Sequence, residues 1–329
     1  MIQKSITAPT KAEAEYKAAE FKRNKAKKST DMTVGDAIDQ YIALSEKALS
    51  PTTIHRYKRM REFGFPSIMD KRISKLTDQD MQEAINLEVG RIGEKSGKPL
   101  SAKTVANEWG LISSSIKSAA KVTYDIKLPK KQRGVTFDMP EPEAIVRMLI
   151  GSEVELPCLI AVWLSFSMSE VRGLKCSDIQ GRTISINRVL VDVDNEEIVK
   201  ENAKVETRKR SHELPEYLYA RITELEVYQK YLSTGEDGFL FKINPSTMSR
   251  RLKALCEEHH MKPITFHKLR HINASIMLFL NLPEKYMLER GGWKTPYVMK
   301  ETYQHTISSE RRRYDSEIND YMTRIIVGT

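Results

Sequence analysis

The chain has 329 residues, 40% of them hydrophobic and 29% charged, enough for two compact domains with ordinary cores and an appendage. Its longest apolar run, Leu156 to Phe166, is broken by Pro157 and Cys158 and is too short for a bilayer span; the first residues lack the apolar stretch of a signal peptide, and Cys158, Cys176 and Cys256 contain no CxxC pair. These features exclude a membrane protein, a disulfide framework and a zinc site, and place the chain in a reducing cytoplasm with three core thiols. Charge is concentrated: residues 1–134 hold 26 Lys and Arg against 16 Asp and Glu, and the remainder 27 against 28, so the excess of +9 lies in the first part. A polyanion explains that asymmetry, nucleic acid being the commonest; a solvated basic surface is the plain alternative.

In chain order, Thr10 to Lys28 reads as a helix rich in Ala, Glu and Lys, followed by a linker over residues 28–32. Thr33, with Asp36 three residues on, opens a helix through a capping box, and Val34, Ala37, Ile38, Tyr41 and Ile42 form its apolar stripe. Ser50-Pro51 starts a second helix, which crowds His55, Arg56, Lys58, Arg59 and Arg61 into about two turns. Thr77 with Asp80 caps a third, and Ser101 begins a fourth that runs to about Ala120. The result is a small bundle over residues 31–130 with a basic outer face, ended by a second linker, Lys127 to Gly134.

The larger domain, residues 135–329, opens with a helix near Glu143 to Ile150 and an apolar helix from Leu156. Thr183 to Val193 alternates as one strand, Asp194-Asn195 turns, Glu197 to Lys200 returns, and Ser211 to Leu214 resumes after a charged loop. Helices follow from Glu216. The fold class is therefore mostly α with a small antiparallel β-sheet in the second domain.

The chemistry lies near the end. His267 and Arg270 stand three residues apart on one helical turn, Gly291-Gly292-Trp293 follows, and Tyr303 lies ten residues beyond the Trp. Lys204 lies upstream in the charged loop. Phosphoryl transfer without a metal needs these parts. A guanidinium fork holds the non-bridging oxygens, a lysine of movable pKa protonates the leaving oxygen, and cations turn a phenol of ordinary pKa about 10 into a nucleophile. Each residue also has a plain reading. Tyr297 rivals Tyr303; Trp293 serves as core; Lys204 competes with Lys200, Arg208 and Lys209 among solvated charges; His271 and His305 are structural; Arg172 pairs with Glu170 or Asp178.

The ordered set HKLRH, Gly-Gly-Trp and Tyr303 resembles the tyrosine recombinases of the phage integrase family, in particular those of phages and mobile elements of Gram-positive bacteria. The resemblance covers nearly the whole chain. It implies a SAM-like helical core-binding domain over 31–130, a catalytic domain over 135–329, and in residues 1–30 a remnant of an arm-site-binding domain. It implies that Tyr303 forms a 3′-phosphotyrosine, Arg270 clamps the phosphate, His267 assists proton transfer, Lys204 is the general acid and Trp293 donates its indole N–H, with no metal and no cofactor. His55, Arg56, Lys58, Arg59, Arg61, Arg208 and Lys209 would contact DNA. The implied assembly is a homo-tetramer of C-shaped clamps on duplex attachment sites, working through a Holliday junction in the bacterial cytoplasm, with DNA-bending or directionality factors. A C-terminal helix capped by Ser308, with Ile318, Tyr321, Met322, Ile325 and Ile326 as its stripe, would dock on the neighbouring protomer.

One position departs from the family pattern. Where the family carries its first catalytic Arg, two residues before Ser169-Glu170, this chain has Ser167, and the nearest cation, Arg172, lies about 140° round an ideal helix. Two rivals follow: a DNA-binding regulator whose catalysis is weakened, and a type IB topoisomerase-like enzyme.

Overall fold

The computed structural model describes residues 10–11, 13–16, 32–94, 96–130, 141–194, 196–201, 210–293, 295–296, 318–319 and 322. The chain divides into two compact units, 1–134 and 135–329. Among the described residues no helix is long and apolar enough to cross a membrane.

The first unit is built from helices α1 (Val34–Ser45), α2 (Pro51–Phe63), α3 (Asp78–Gly90) and α4 (Ala102–Ala120). Each begins where a short polar side chain satisfies an orphan N–H. Thr33 and Asp36 exchange bonds of 3.0 Å each, Thr77 and Asp80 form the same box, and Ser50 and Ser101 accept from Thr53 N and Thr104 N. The expected stripe of α1 is buried at Val34, Ala37, Ile38 and Ile42 and packs with Phe65, Met81, Ile85, Trp109, Ile112 and Ile116, while Tyr41 is half-buried. Of the bundle's long side chains, Phe65, Ile38, Ile68, Met81, Ile85, Ile112 and Ile116 are nearly inaccessible.

The second unit is mostly helical: α5 (Pro142–Leu149), α6 (Glu155–Leu164), α7 (Met168–Gly173), α8 (Glu216–Thr223), α9 (Glu226–Thr234), α10 (Pro245–Glu258), α11 (Phe266–Phe279) and α12 (Glu284–Gly291). α6 is apolar nearly all round and is buried on most sides, with α11 against it. The strands are β1 (Ile179–Gln180), β2 (Thr183–Ser185), β3 (Arg188–Val193), β4 (Glu196–Glu201) and β5 (Ser211–Glu213).

The expected single strand Thr183–Val193 is two strands in two sheets. β2 lies between β1 and β5, with Ile184 opposite His212, whereas β3 pairs with β4, Arg188 opposite Glu201 and Val193 opposite Glu196. The break falls at Ile186-Asn187. The Asn187 amide donates to Asp178 at 2.8 Å, Arg188 Nη1 lies 2.6 Å from the same carboxylate, and Ile186 N donates to Arg210 O. Buried Asp178 thus turns the chain from one sheet into the next. Alternation records which side chains are inside and says nothing of which neighbour each strand takes.

In the first unit two buried acids share one cation. Glu88 and Glu108 are 2% and 8% exposed; Arg91 donates to Glu88 at 2.6 Å and to Glu108 at 3.2 Å, and the other oxygen of Glu88 accepts from Phe65 N. Burial, then the bond and the charge of Glu88, push the Glu108 carboxyl up to about 7 against the pull of Arg91. A raised folded value stabilises the fold fully below the ordinary carboxylate range, and that stability is lost as pH rises through about 7. Glu108→Gln supplies a permanent amide donor toward Glu88. The variant of the full chain should gain on the order of 2 kcal/mol at pH 8 and little at pH 5. Thermal unfolding at the two pH values checks this, and equal gains at both would refute the raised Glu108 carboxyl.

Candidate active site

The site is organised by α7, a six-residue helix. Ser167 is its N-cap: Ser167 N donates to Glu170 Oε2 at 2.7 Å in a capping box. Ser167, Met168, Ser169 and Arg172, with Leu190, Val191 and Asp192 of β3 and His267 of α11, line a cleft of about 320 Å³. The sequence places its unusual serine and its histidine far apart; the fold sets them in one cleft.

Arg172 reaches that cleft too, but its guanidinium is taken. It is 2% exposed and bonds both oxygens of Asp192 at 2.8 and 2.7 Å and Glu197 at 2.7 Å. The partners considered from sequence, Glu170 and Asp178, are engaged elsewhere, Asp178 with Arg188 and Asn187. Two carboxylates of the β3–β4 hairpin therefore hold the Arg172 guanidinium.

Glu170, 8% exposed, is the centre of a second cluster. Arg210 forks onto it at 2.9 and 3.0 Å, and Arg270 Nη1 lies at 3.4 Å. Burial alone would raise its pKa; the charge and bonds of Arg210, the Ser167 N–H and the charge of Arg270 outweigh that and hold the carboxyl below the usual range. Arg210 also donates to Ser165 O at 3.1 Å and lies 5.4 Å over the Phe166 ring. Sequence reading passed over Arg210, taking Arg208 and Lys209 beside it. The available signal was its place at the edge of a strand whose next residues alternate inward, where a basic side chain needs a buried acid.

His267 and Arg270 share one turn of α11 and face different surroundings. Arg270 is 9% exposed, bonded to Glu170 and to the Gly291 carbonyl; His267 is exposed at the cleft. Desolvation, then the charges of Arg270 and Lys268, lower the His267 pKa from its ordinary value, and His271, edge-on at 4.6 Å, is lowered to about 4 by burial above all. His267 therefore stays neutral near pH 7 and can accept a proton.

Both glycines of Gly291-Gly292-Trp293 are accounted for. The Trp293 ring lies under the Arg270 guanidinium at 5.1 Å and packs against Ala274, Met277 and Met287. A Cβ on Gly291 would lie 2.3 Å from that ring; Gly292 has φ +63, and its Cβ would lie 2.6 Å from Arg210 Nη1.

Of the remaining expected residues, Tyr303, Lys204, Arg208 and Lys209, with Tyr297 and His305, lie outside the described residues, as does the Ser308 cap. In α2, Arg56, Lys58 and Arg59 are exposed and His55 is half-buried. Arg59 stacks on Phe63, and Lys58 lies 3.8 Å from Glu46. Arg61 turns back to Asp39 at 3.1 Å, its guanidinium against Gly35, and so ties α2 to α1.

Residues 154–310 match the phage integrase family model. The second unit carries a phage integrase family domain. A curated integrase of Saccharopolyspora erythraea is 28% identical over 136 residues, covering 38% of this chain and 31% of that protein, so the match spans under a third of the relative. Among solved structures, a Tn1549 transposon integrase in complex with transposon right-end DNA matches 88% of this chain and all of its own, with a TM-score of 0.67 at 16% identity. A lambda integrase dimer bound to a core site matches 85% of this chain and 79% of its own, with a TM-score of 0.57 at 15% identity. These likenesses are of fold, and they extend beyond the integrase domain itself.

The integrase domain yields a direct test of its tryptophan. Gly291→Ala should drive the indole off Arg270 and shift its fluorescence emission. An unchanged spectrum would mean that the ring does not sit where the Cβ would go.

Proposed function

We propose that the chain is a site-specific tyrosine recombinase acting on duplex DNA. The observation that carries this reading is His267 in the Ser167 cleft, one helical turn from an Arg270 that meets the same Glu170 carboxylate as the Ser167 N–H, inside an integrase-family domain. In the proposed reaction the Tyr303 phenol attacks a DNA phosphorus. The O–P bond forms, the bond to the 5′ oxygen breaks, His267 takes the phenolic proton, and Lys204 gives one to the leaving oxygen. The phosphotyrosine preserves the bond energy, so attack by the 5′ hydroxyl of a second strand rejoins DNA without another energy source. Arg270 holds the non-bridging oxygens, and Trp293, below it, positions its charge. Arg172 supplies the cation missing at Ser167 once an incoming phosphate draws it from Asp192 and Glu197.

The first unit would grip the duplex with Arg56, Lys58 and Arg59 of α2, and Arg208 and Lys209, between β4 and β5 in sequence, would contact DNA too. Four such chains would join two attachment sites through a Holliday junction, the C-terminal helix of each docked on its neighbour, in the bacterial cytoplasm with DNA-bending or directionality factors. A second reading, a DNA-binding regulator of weakened catalysis, is favoured by one observation: Ser167 is a helix cap, and Arg172 is neutralised by two acids.

A nicked suicide substrate separates the two. Wild type should accumulate a covalent adduct that Tyr303→Phe lowers on the order of a thousandfold or more, and Arg172→Ala should slow it about a hundredfold. Tight binding with no adduct favours the regulator, and an Arg172→Ala rate equal to wild type removes Arg172 from the chemistry. Because the His267 pKa is depressed, the rate should hold through neutrality and fall only as pH drops below the ordinary histidine value. Deleting the residues after Ile318 should weaken tetramers on DNA more than binding of one site; intact synapsis by the shortened chain would contradict the docking.

A further inference from the structure

We infer that Arg210 is a positioning residue that occupies both oxygens of Glu170 and so keeps that carboxylate from closing on Arg270. The inference rests on the recombinase reading for its consequence, since Arg270 is the phosphate clamp in that reading, and on packing alone for its geometry.

Glu170, Arg210 and Arg270 form a buried triad of one acid and two bases, with side chains about a tenth exposed or less. A carboxylate presents its two oxygens in parallel to one guanidinium fork at a time. Here the fork-to-fork geometry belongs to Arg210, at 2.9 and 3.0 Å, and Arg270 is left with one contact at 3.4 Å. Arg210 is held in this arrangement by three further features: its bond to Ser165 O, its stacking on Phe166, and the bare backbone of Gly292, which leaves room for Nη1. Glu170 is fixed from the other side by the Ser167 N–H at 2.7 Å. A buried carboxylate that loses its principal cation takes up a proton or closes on another cation, and here a cation, Arg270, is already beside it. Without Arg210, therefore, Glu170 would take Arg270 with both oxygens and neutralise it. Arg210 adds no contact of its own to the phosphate; it sets how much positive charge Arg270 presents there.

The test uses the full chain as wild type, Arg210→Ala, Arg210→Lys, Glu170→Gln and the double variant Arg210→Ala/Glu170→Gln, each checked by thermal unfolding. In a crystal structure of Arg210→Ala, both Glu170 oxygens should lie within about 3 Å of Arg270; a carboxylate left in place would overturn the inference. On the suicide substrate, Arg210→Ala should cleave about a hundredfold more slowly, with DNA affinity within about threefold of wild type. Arg210→Lys, a point charge without a fork, should fall between. Adding Glu170→Gln should restore at least about tenfold, because a neutral amide has no claim on Arg270. A purely structural Arg210 predicts the reverse, since the double variant would lose more of the same network. A double variant as slow as Arg210→Ala at equal melting temperature would refute the proposal. If wild type itself forms no adduct, the recombinase reading fails, and the Arg210→Ala structure still decides whether Arg210 restrains Glu170.

Discussion

The integrase domain depends on a single buried carboxylate. Glu170 caps α7 through Ser167 N, anchors Arg210 and touches Arg270, so a helix start, a strand edge and the central helix α11 all meet on two oxygen atoms. An acid placed there without those partners would be protonated or expelled by desolvation. With them it stays charged and fixes where Ser167, Arg210 and Arg270 stand relative to one another. The Gly-Gly-Trp segment fits into the same arrangement from the other end of the domain, its first glycine making room for the indole and its second for Arg210.

Arg172 lines the cleft as an arginine whose charge is already claimed. Ser167 does the work of a cap and brings no charge of its own, while Arg172 sits in the same cleft under two carboxylates from β3 and β4. Pairing offsets part of what it costs to take such an arginine out of water, and for the same reason its charge reaches a ligand only in competition with Asp192 and Glu197.

Much of this was readable from residues alone. The four helix starts of the first unit follow from short polar caps and acids at fixed offsets, local chemistry that tertiary packing did not override. The placement of His267 and Arg270 on one helix was equally legible. Three things were not. The split of Thr183–Val193 turns on Asp178, an acid outside the alternating run, so the periodicity could not reveal it. Arg61 looked like one more cation on a basic face, yet it belongs to an ion pair with Asp39, 22 residues away. Arg210 was hidden among three neighbouring basic residues, and only burial against Glu170, 40 residues away, distinguishes it.

The two stems that flank residues 202–209 both lead back to α7. On one side the β3–β4 hairpin is fastened through Asp192 and Glu197 to Arg172; on the other, Arg210 is fastened to Glu170. A six-residue helix is thus the common footing for both ends of the segment that bears Lys204. For anyone building hybrids between relatives, the hairpin is therefore not a portable module. Its acids and its closing arginine are cut to match the one arginine and the one glutamate of a short helix, and a transplanted hairpin without that helix would arrive with its charges facing the wrong partners.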